Sequence, residues 1–276
     1  MTYQGWRDAR YELDRWAERG LTARFWVRDD DACEMSSNLA RLHELAESYD
    51  LTIGLAVIPA KVEPSLLEFF NKENRRFHPM CHGWRHVNHA PPHKQPAEFG
   101  GNRPVATMYQ EAELAFGKFS QHFTERCVIF VPPFGQISKE MIEALPGIGF
   151  AGLSGGPSWL EFKLLRLTDW RIRIPGVKVP KSSIPRLDVQ IDPINWRQGA
   201  AHTVETICRT LTRCLRARRM GFLATDVPIG LVTHHQVHNE SIWRVCGDIL
   251  DVLRTHKAVN FLRVDQFFTS AGLPPN

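Results

Sequence analysis

Apolar residues in this chain recur at two alternating periods, one helical and one of strand type. Trp6, Ala9, Leu13 and Trp16 share one helical face over residues 6–19, and Gly20 stands where that helix should stop. Phe25-Trp-Val-Arg-Asp-Asp-Asp-Ala32 comes next, an apolar strand over 23–29 that delivers three consecutive carboxylates. Ser36 or Ser37 starts a second helix with Leu39, Leu42, Leu45 and Tyr49 on one stripe. Leu51 to Ile58 is then a continuous apolar run of the kind buried on both faces of a sheet. The result is a β-α-β rhythm.

The rhythm continues beyond it. Leu66 to Asn71 is short and helical, and Arg75 to Cys81 is a third strand leading into His82-Gly-Trp-Arg-His-Val-Asn-His89. The loop behind it carries Pro91, Pro92, Pro96, Gly100 and Gly101 and predicts no regular structure. Thr107 to Phe123 is an amphipathic helix, Cys127 to Gly135 an apolar strand stopped by two prolines, Ser138 a helix cap, and Phe150 to Ser154 a short strand. From 155 to 200 the pattern weakens: Arg171-Ile-Arg-Ile-Pro alternates polar with apolar, and Leu187 to Asp192 reads as a strand ending in another carboxylate. A helix from about Thr203 to Arg219, a strand Pro228 to His235, a helix Ser241 to His256 and a strand Val259 to Val264 complete the chain. Strands alternating with helices predict an α/β fold with a parallel sheet, and a barrel suits it better than an open sheet, because chemically loaded groups come after so many different strands.

Composition narrows the reading. A chain of 276 residues with 43% hydrophobic content can bury a large core, and one domain over 1–276 is expected, its N-terminal helix (1–20) packed on the barrel. A net charge of +4 and a pI near 8.8 suit an anionic partner but fall short of a nucleic-acid-binding signature, so no nucleic acid is expected. No apolar run approaches the roughly 20 residues that span a bilayer, and the opening residues carry no secretory pattern. The six cysteines are scattered without a Cys-x-x-Cys pair, as in a reduced cytosol. A cytoplasmic protein is expected.

The candidate chemistry sits just after strands: Asp29, Asp30 and Asp31 after the first, His82, His86 and His89 after the third, Asp192 later, and His234, His235 and His238 after the strand at 228. In a parallel barrel all of these open onto one face. Adjacent like charges repel, so three carboxylates in a row call for a cation to set against them, although a solvated turn with one Asp capping the next helix reads the same letters. His82 and His86, four apart, can present both imidazoles to one ion, and two His with one carboxylate leave coordination positions open for water. Histidines satisfied by backbone in a turn are the alternative.

The ordered set resembles the polysaccharide deacetylases of the NodB-homology type. Asp30-Asp31-Ala32 matches the family's paired aspartates, His82-Gly-Trp-Arg-His86 its His-x-x-x-His, and Val131-Pro-Pro-Phe-Gly135 its proline motif. Asp192-Pro-Ile-Asn-Trp196 and Val232-Thr-His234 come after these in the right order, so the resemblance covers roughly residues 23 to 240. It implies a distorted (β/α) barrel of about seven parallel strands, and a metal-dependent hydrolase that removes an acetyl group from an N-acetylated sugar or a related non-peptide amide. Asp31, His82 and His86 would hold a divalent metal, most simply Zn2+. Asp30 would be the general base and His234 the acid, with a backbone N–H near Phe134 on the oxyanion and Trp196 walling the acetyl methyl beside Asp192. The partner is then a carbohydrate; the oligomeric state stays open.

The departures from the family are specific. Val131 replaces the Arg that steadies the base, a charge Arg28 or Arg85 could supply. Asn195 replaces the carboxylate that keeps the acid histidine protonated, leaving Asp192 or Asp188 for that role. Gly83 replaces the usual hydroxyl residue, and the triplet also permits Asp29 and Asp30 as the pair. These changes keep a second function open, a catalytically degenerate carbohydrate-binding relative that retains fold and metal. His89, His93, His235 and His238 read as supporting or surface residues. Arg209, Arg213 and Arg216 read as a solvated face and Cys33 and Cys81 as small packing residues, and Gly152 to Pro157 lacks a nucleotide-loop signature.

Overall fold

The structure, a computed structural model, is described over residues 5–72, 76–156 and 184–264. The alternating stretch at Arg171–Pro175, and Arg75 and Pro157, lie outside the described residues. Strand β1 (Ala23–Ala32) is the centre of the sheet. The order is β5-β4-β3-β2-β1-β9-β6, with β2 (Ile53–Val57), β3 (Phe77–His82), β4 (Ile129–Val131), β5 (Gly152–Leu153), β6 (Val189–Ile191) and β9 (Ile229–Thr233) all parallel to their neighbours. β10 (Val259–Phe261) adds to the start of β1, on the side away from β9.

The two edges of this path meet. Leu153 N–H donates to Pro185 O at 2.9 Å, Leu187 N–H to Leu153 O at 2.9 Å and Val189 N–H to Gly155 O at 3.0 Å. The segment that enters β6 therefore runs first beside β5 and then beside β9, so the seven parallel strands curl into a barrel with helices outside.

Side-chain alternation sorts the strands into two cores. Trp26, Ala56, Met80, Ile129, Val131, Val189 and Val232 fill the lumen. Phe25, Val27, Leu55, Cys81, Phe130 and Leu231, one residue away from them in each strand, face the helical layer instead. The helices include Ser37–Ser48, capped by Ser36, Val105–His122, Lys139–Ile148, capped by Ser138, Val204–Arg219, capped by Thr203, and Glu240–Arg254, capped by Asn239. The N-terminal helix Arg7–Glu18 lies on Val204–Arg219, where Trp16 Nε1 donates to Leu215 O at 3.2 Å. Glu12 and Arg219 form a buried bidentate ion pair across the same contact, at 2.5 and 3.1 Å.

Three boundaries differ from the sequence pattern in ways that matter for the site. β1 runs three residues past 29, so the aspartates belong to a strand, and Asp29 and Asp30 follow its alternation. The apolar run at 127–135 supplies only three strand residues before Pro133–Gly135 turns as a short 3-10 helix. A small antiparallel hairpin of β7 (Ile194–Asn195) and β8 (Ala200–Ala201), too short to show any period, holds the Asp192–Trp196 segment.

Candidate active site and metal centre

Parity along the strands decides which groups meet. Trp26 faces the lumen, so Arg28 and Asp30 do too; Met80 places His82 there, and Val232 places His234. All three reactive side chains lie at the C-terminal ends of parallel strands and converge at one mouth. Asp31 would face outward by the same count. Its backbone instead adopts φ +74°, a left-handed conformation uncommon for a non-glycine residue, and swings the carboxylate over the mouth.

There Asp31 Oδ1 lies 3.1 Å from His82 Nε2 and 3.1 Å from His86 Nε2. The three donor atoms fall within 4.8 Å of one another. His82 Nδ1 lies 3.0 Å from Val131 O and, since a carbonyl only accepts, donates its proton there, which turns Nε2 toward Asp31; burial opposes a charged ring, but the hydrogen bond of Asp31 and the charges of Asp30 and Asp31 raise the His82 pKa. Burial acts to raise the Asp31 pKa, but the hydrogen bond and charge of His82 and the charge of His86 carry it below the usual carboxylate range. Burial and the charge of His82 lower the His86 pKa. One ionised carboxylate and two imidazoles that present Nε2 to it are the donor set of a first-row divalent ion, each imidazole nitrogen giving up any proton it holds on binding, and the residues fit one.

The loop that carries His86 is built on a carboxylate. Glu98, 1% exposed, accepts the Trp84 N–H at 3.1 Å, the Arg85 N–H at 2.8 Å and the Val87 N–H at 3.4 Å, which fixes the backbone on both sides of His86. Gly83 is required at the start of that loop: its φ is +57°, and a Cβ there would lie 2.3 Å from Pro133 and 2.4 Å from Glu98 Oε2. A hydroxyl residue has no room.

Asp30 lies in the lumen, held by Arg28. Nε donates to Oδ1 at 2.7 Å and the NH2 nitrogen to Oδ2 at 2.9 Å, while NH1 bonds Ser154 O at 2.9 Å and Ser154 Oγ at 2.6 Å. Arg85 is exposed and rests over Trp84, so the charge missing at Val131 comes from Arg28. His234 Nε2 is 3.8 Å from Asp30 Oδ2, and the Trp196 ring meets the His234 ring edge-on at 4.7 Å. Trp196 Nε1 donates to Asp192 Oδ2 at 2.8 Å and Ile194 N–H to Asp192 Oδ1 at 2.8 Å. Burial raises the Asp192 pKa, and the charge of His234 and the hydrogen bonds from Ile194 and Trp196 oppose this. Phe134, at φ +60° and 38% exposed, stacks its ring 4.3 Å from that of His86.

No family model matches this sequence, and no curated protein matches it. Solved structures do. A family 4 acetyl xylan esterase from Clostridium thermocellum in complex with a cobalt ion superposes with a TM-score of 0.53 at 12% identity, over 91% of this chain and 93% of the other. A structure described as T48 deacetylase with substrate gives 0.51 at 15% identity, over 90% and 92%. The chain has the polysaccharide deacetylase fold. A mutant of a family 4 pseudoenzyme with restored activity, BA3943, has the same fold with a TM-score of 0.53 at 10% identity, over 90% of this chain and 68% of that one.

On this deacetylase fold the remaining sequence candidates take other places than the Asp31–His82–His86 triad. Asp29 faces the helical layer, where it pairs with His235. Asn195 turns into its own hairpin, with Nδ2 to Gln198 Oε1 at 3.0 Å, and Asp188 is tied to Arg186 and to the Gly155 N–H, so neither takes the place beside His234. His89 and His93 are exposed. Arg209, Arg213 and Arg216 lie along the Val204–Arg219 helix, Arg209 exposed and the others half-buried. Cys33 is half-buried with Sγ 3.4 Å from Asp31 O, and Cys81 is buried. Sequence reasoning missed Glu98, Ser154 and Gln236, whose Nε2 donates to Asp31 O at 2.7 Å. No spacing or motif marks any of them.

Proposed function

We propose that this protein is a metal-dependent deacetylase that hydrolyses the acetamide of an N-acetylated sugar or a related non-peptide amide. The observation that carries the reading is the Asp31–His82–His86 cluster at the strand ends that also carry an Arg-held carboxylate, Asp30, and a histidine 3.8 Å from it, His234. A divalent ion in that cluster, most simply zinc, would supply Lewis acidity at the acetyl carbonyl.

The protein's own groups account for the rest. Asp30, kept in place by Arg28, takes the proton of the attacking water. A backbone N–H at the Phe134 turn donates to the oxyanion, and Trp196, oriented by Asp192, closes an apolar wall on the acetyl methyl. His234 gives its proton to the departing amine nitrogen, which is too basic to leave as an anion. Its distance from Asp30 lets one group accept and the other release a proton across the same small space. The six cysteines, scattered along the sequence without a Cys-x-x-Cys pair, support residence in a reducing compartment, and no helix among the described residues is long and apolar enough to cross a membrane.

The displaced Asn195 favours one other reading, a carbohydrate-binding relative without turnover. Metal analysis of the purified protein, followed by acetate release from a panel of N- and O-acetylated sugars with and without chelator, separates the two. Chelator-sensitive release from N-acetylated sugars is expected. Bound metal without release from any sugar would sink the enzyme reading.

A further inference from the structure

We infer that Asp29 is a positioning residue for His234, an inference that rests on the reading of His234 as the proton donor. Asp29 is completely buried on the outer face of β1, in the column that otherwise holds Phe25 and Val27. Both its oxygens are used by one short stretch of chain. Oδ2 accepts the Thr233 hydroxyl at 2.7 Å and the His235 N–H at 2.9 Å, and Oδ1 accepts the His235 ring Nδ1–H. Thr233 and His235 flank His234. One carboxylate thus grips the residues on either side of the histidine that reaches the lumen.

Two further bonds complete the grip. The His234 N–H donates to His238 Nε2 at 3.2 Å, and Asn38 Nδ2 donates to His235 O at 2.9 Å. His234 itself has φ −142° and ψ 79°, at the point where β9 breaks into the 235–237 turn, so nothing in regular secondary structure fixes its ring. A strand end left to itself frays. An ionic pair in an apolar layer is a weak source of stability, and an apolar pair of equal size would fill this site at least as well. What the carboxylate adds is direction, since three donors converge on two oxygens and only one backbone path satisfies them. Asp29 and Asp30, neighbours in sequence, therefore serve opposite faces of one strand: one holds the turn that carries the acid, the other faces the acid across the lumen.

The test uses the metal-loaded full chain and four variants: Asp29→Ala, Asp29→Asn, His234→Ala and the double Asp29→Ala/His234→Ala. Asp29→Ala is expected to lower kcat by about 10–100-fold, with KM little changed and metal content equal to the parent. Asp29→Asn, which keeps an acceptor oxygen, restores most of it. In the His234→Ala background, Asp29→Ala has little further effect, because its route to the reaction is already gone. Effects that multiply, or metal lost with Asp29, overturn the inference. If Asp29→Ala does not fold, Thr233→Val, which removes one donor, takes its place with the same expected non-additivity. If the parent protein releases no acetate at all, the functional reading fails by itself and histidine-resolved NMR decides the positioning. The His234 ring signal must shift in Asp29→Ala while those of His82 and His86 stay; an unmoved His234 signal rejects it.

Discussion

Arg28 and Asp30, two residues apart on β1, form a bidentate ion pair inside the barrel with both side chains nearly sealed from solvent, at 5% and 6% exposure. The pair is possible because residues two apart in a strand share a face. Its two parallel hydrogen bonds hold the carboxylate plane fixed.

Arg28→Gln is therefore expected to do two things at once. It leaves Asp30 as an unpaired buried charge, costing about 3–5 kcal/mol of stability, and lowers kcat by about 10–100-fold through loss of the carboxylate's orientation. Arg28→Lys keeps the charge without the fork and should fall between. Urea unfolding and acetate-release kinetics on the same preparations check both; unchanged kcat in a folded Arg28→Gln protein would contradict the role.

Glu98→Ala should loosen the metal centre without touching a ligand. Three backbone N–H groups around His86 lose their acceptor, and metal affinity is expected to drop by about 10–100-fold. Competition against a chromophoric chelator measures it directly, and Glu98→Gln, with one amide oxygen retained, should lose less.

Stability is expected to fall on mild acidification because of His238. Burial, helped by the charges of His234, His235 and Arg41 and opposed by Asp29, lowers its pKa from the ordinary 6.5 to about 4. Between those values the unfolded chain binds a proton that the folded one refuses. The contribution is thus complete above pH 6.5, declines as pH falls, and is gone below about pH 4, a loss of about 3 kcal/mol. Denaturant midpoints at pH 7.5 and 4.5 for the parent and for His238→Asn, whose amide oxygen can still accept the His234 N–H, give the difference; equal slopes in the two proteins would exclude His238 as the source.

The N-terminal helix should depend on a single ion pair more than on its own propensity. Glu12 and Arg219 are both about 95% buried, and Glu12→Ala strands the guanidinium, at a cost of about 3–5 kcal/mol. Glu12→Ala with Arg219→Met is expected to recover most of that. Thermal unfolding of the single and double variants reads the coupling.

Much of the fold is legible because its strands are apolar runs and its helices carry clear stripes, as in Leu51–Ile58 and Trp6–Trp16. Closure is not, since it depends on three backbone hydrogen bonds between Leu153–Gly155 and residues 185–189 that no side-chain pattern encodes. In the site, the motif resemblance picks out Asp31, His82 and His86, and the structure brings them together. The sequence leaves Asp29 and Asp30 open as the pair, because a strand ending at 29 gives no parity to the residues beyond it. With the strand running to 32, the alternation that puts Trp26 in the lumen sends Asp29 out and Asp30 in. Arg28 is one of two cations that could answer for Val131, and only the structure separates them, by the fork of Arg28 on Asp30 and the exposed place of Arg85 over Trp84. Glu98 stands in a loop of prolines and glycines with nothing to mark it.

The alternation of β1 also makes the three aspartates a reading frame. Deleting any one residue between Ala23 and Arg28 would leave every carboxylate in the chain, yet turn Asp30 toward the helices and Asp29 toward the lumen. Such a protein would have lost the Arg28–Asp30 pair of its lumen and the Asp29 grip on residues 233–235 together while keeping its composition almost untouched. Length variation belongs in the loops of this molecule, and this strand can accept substitution far more readily than a change of count.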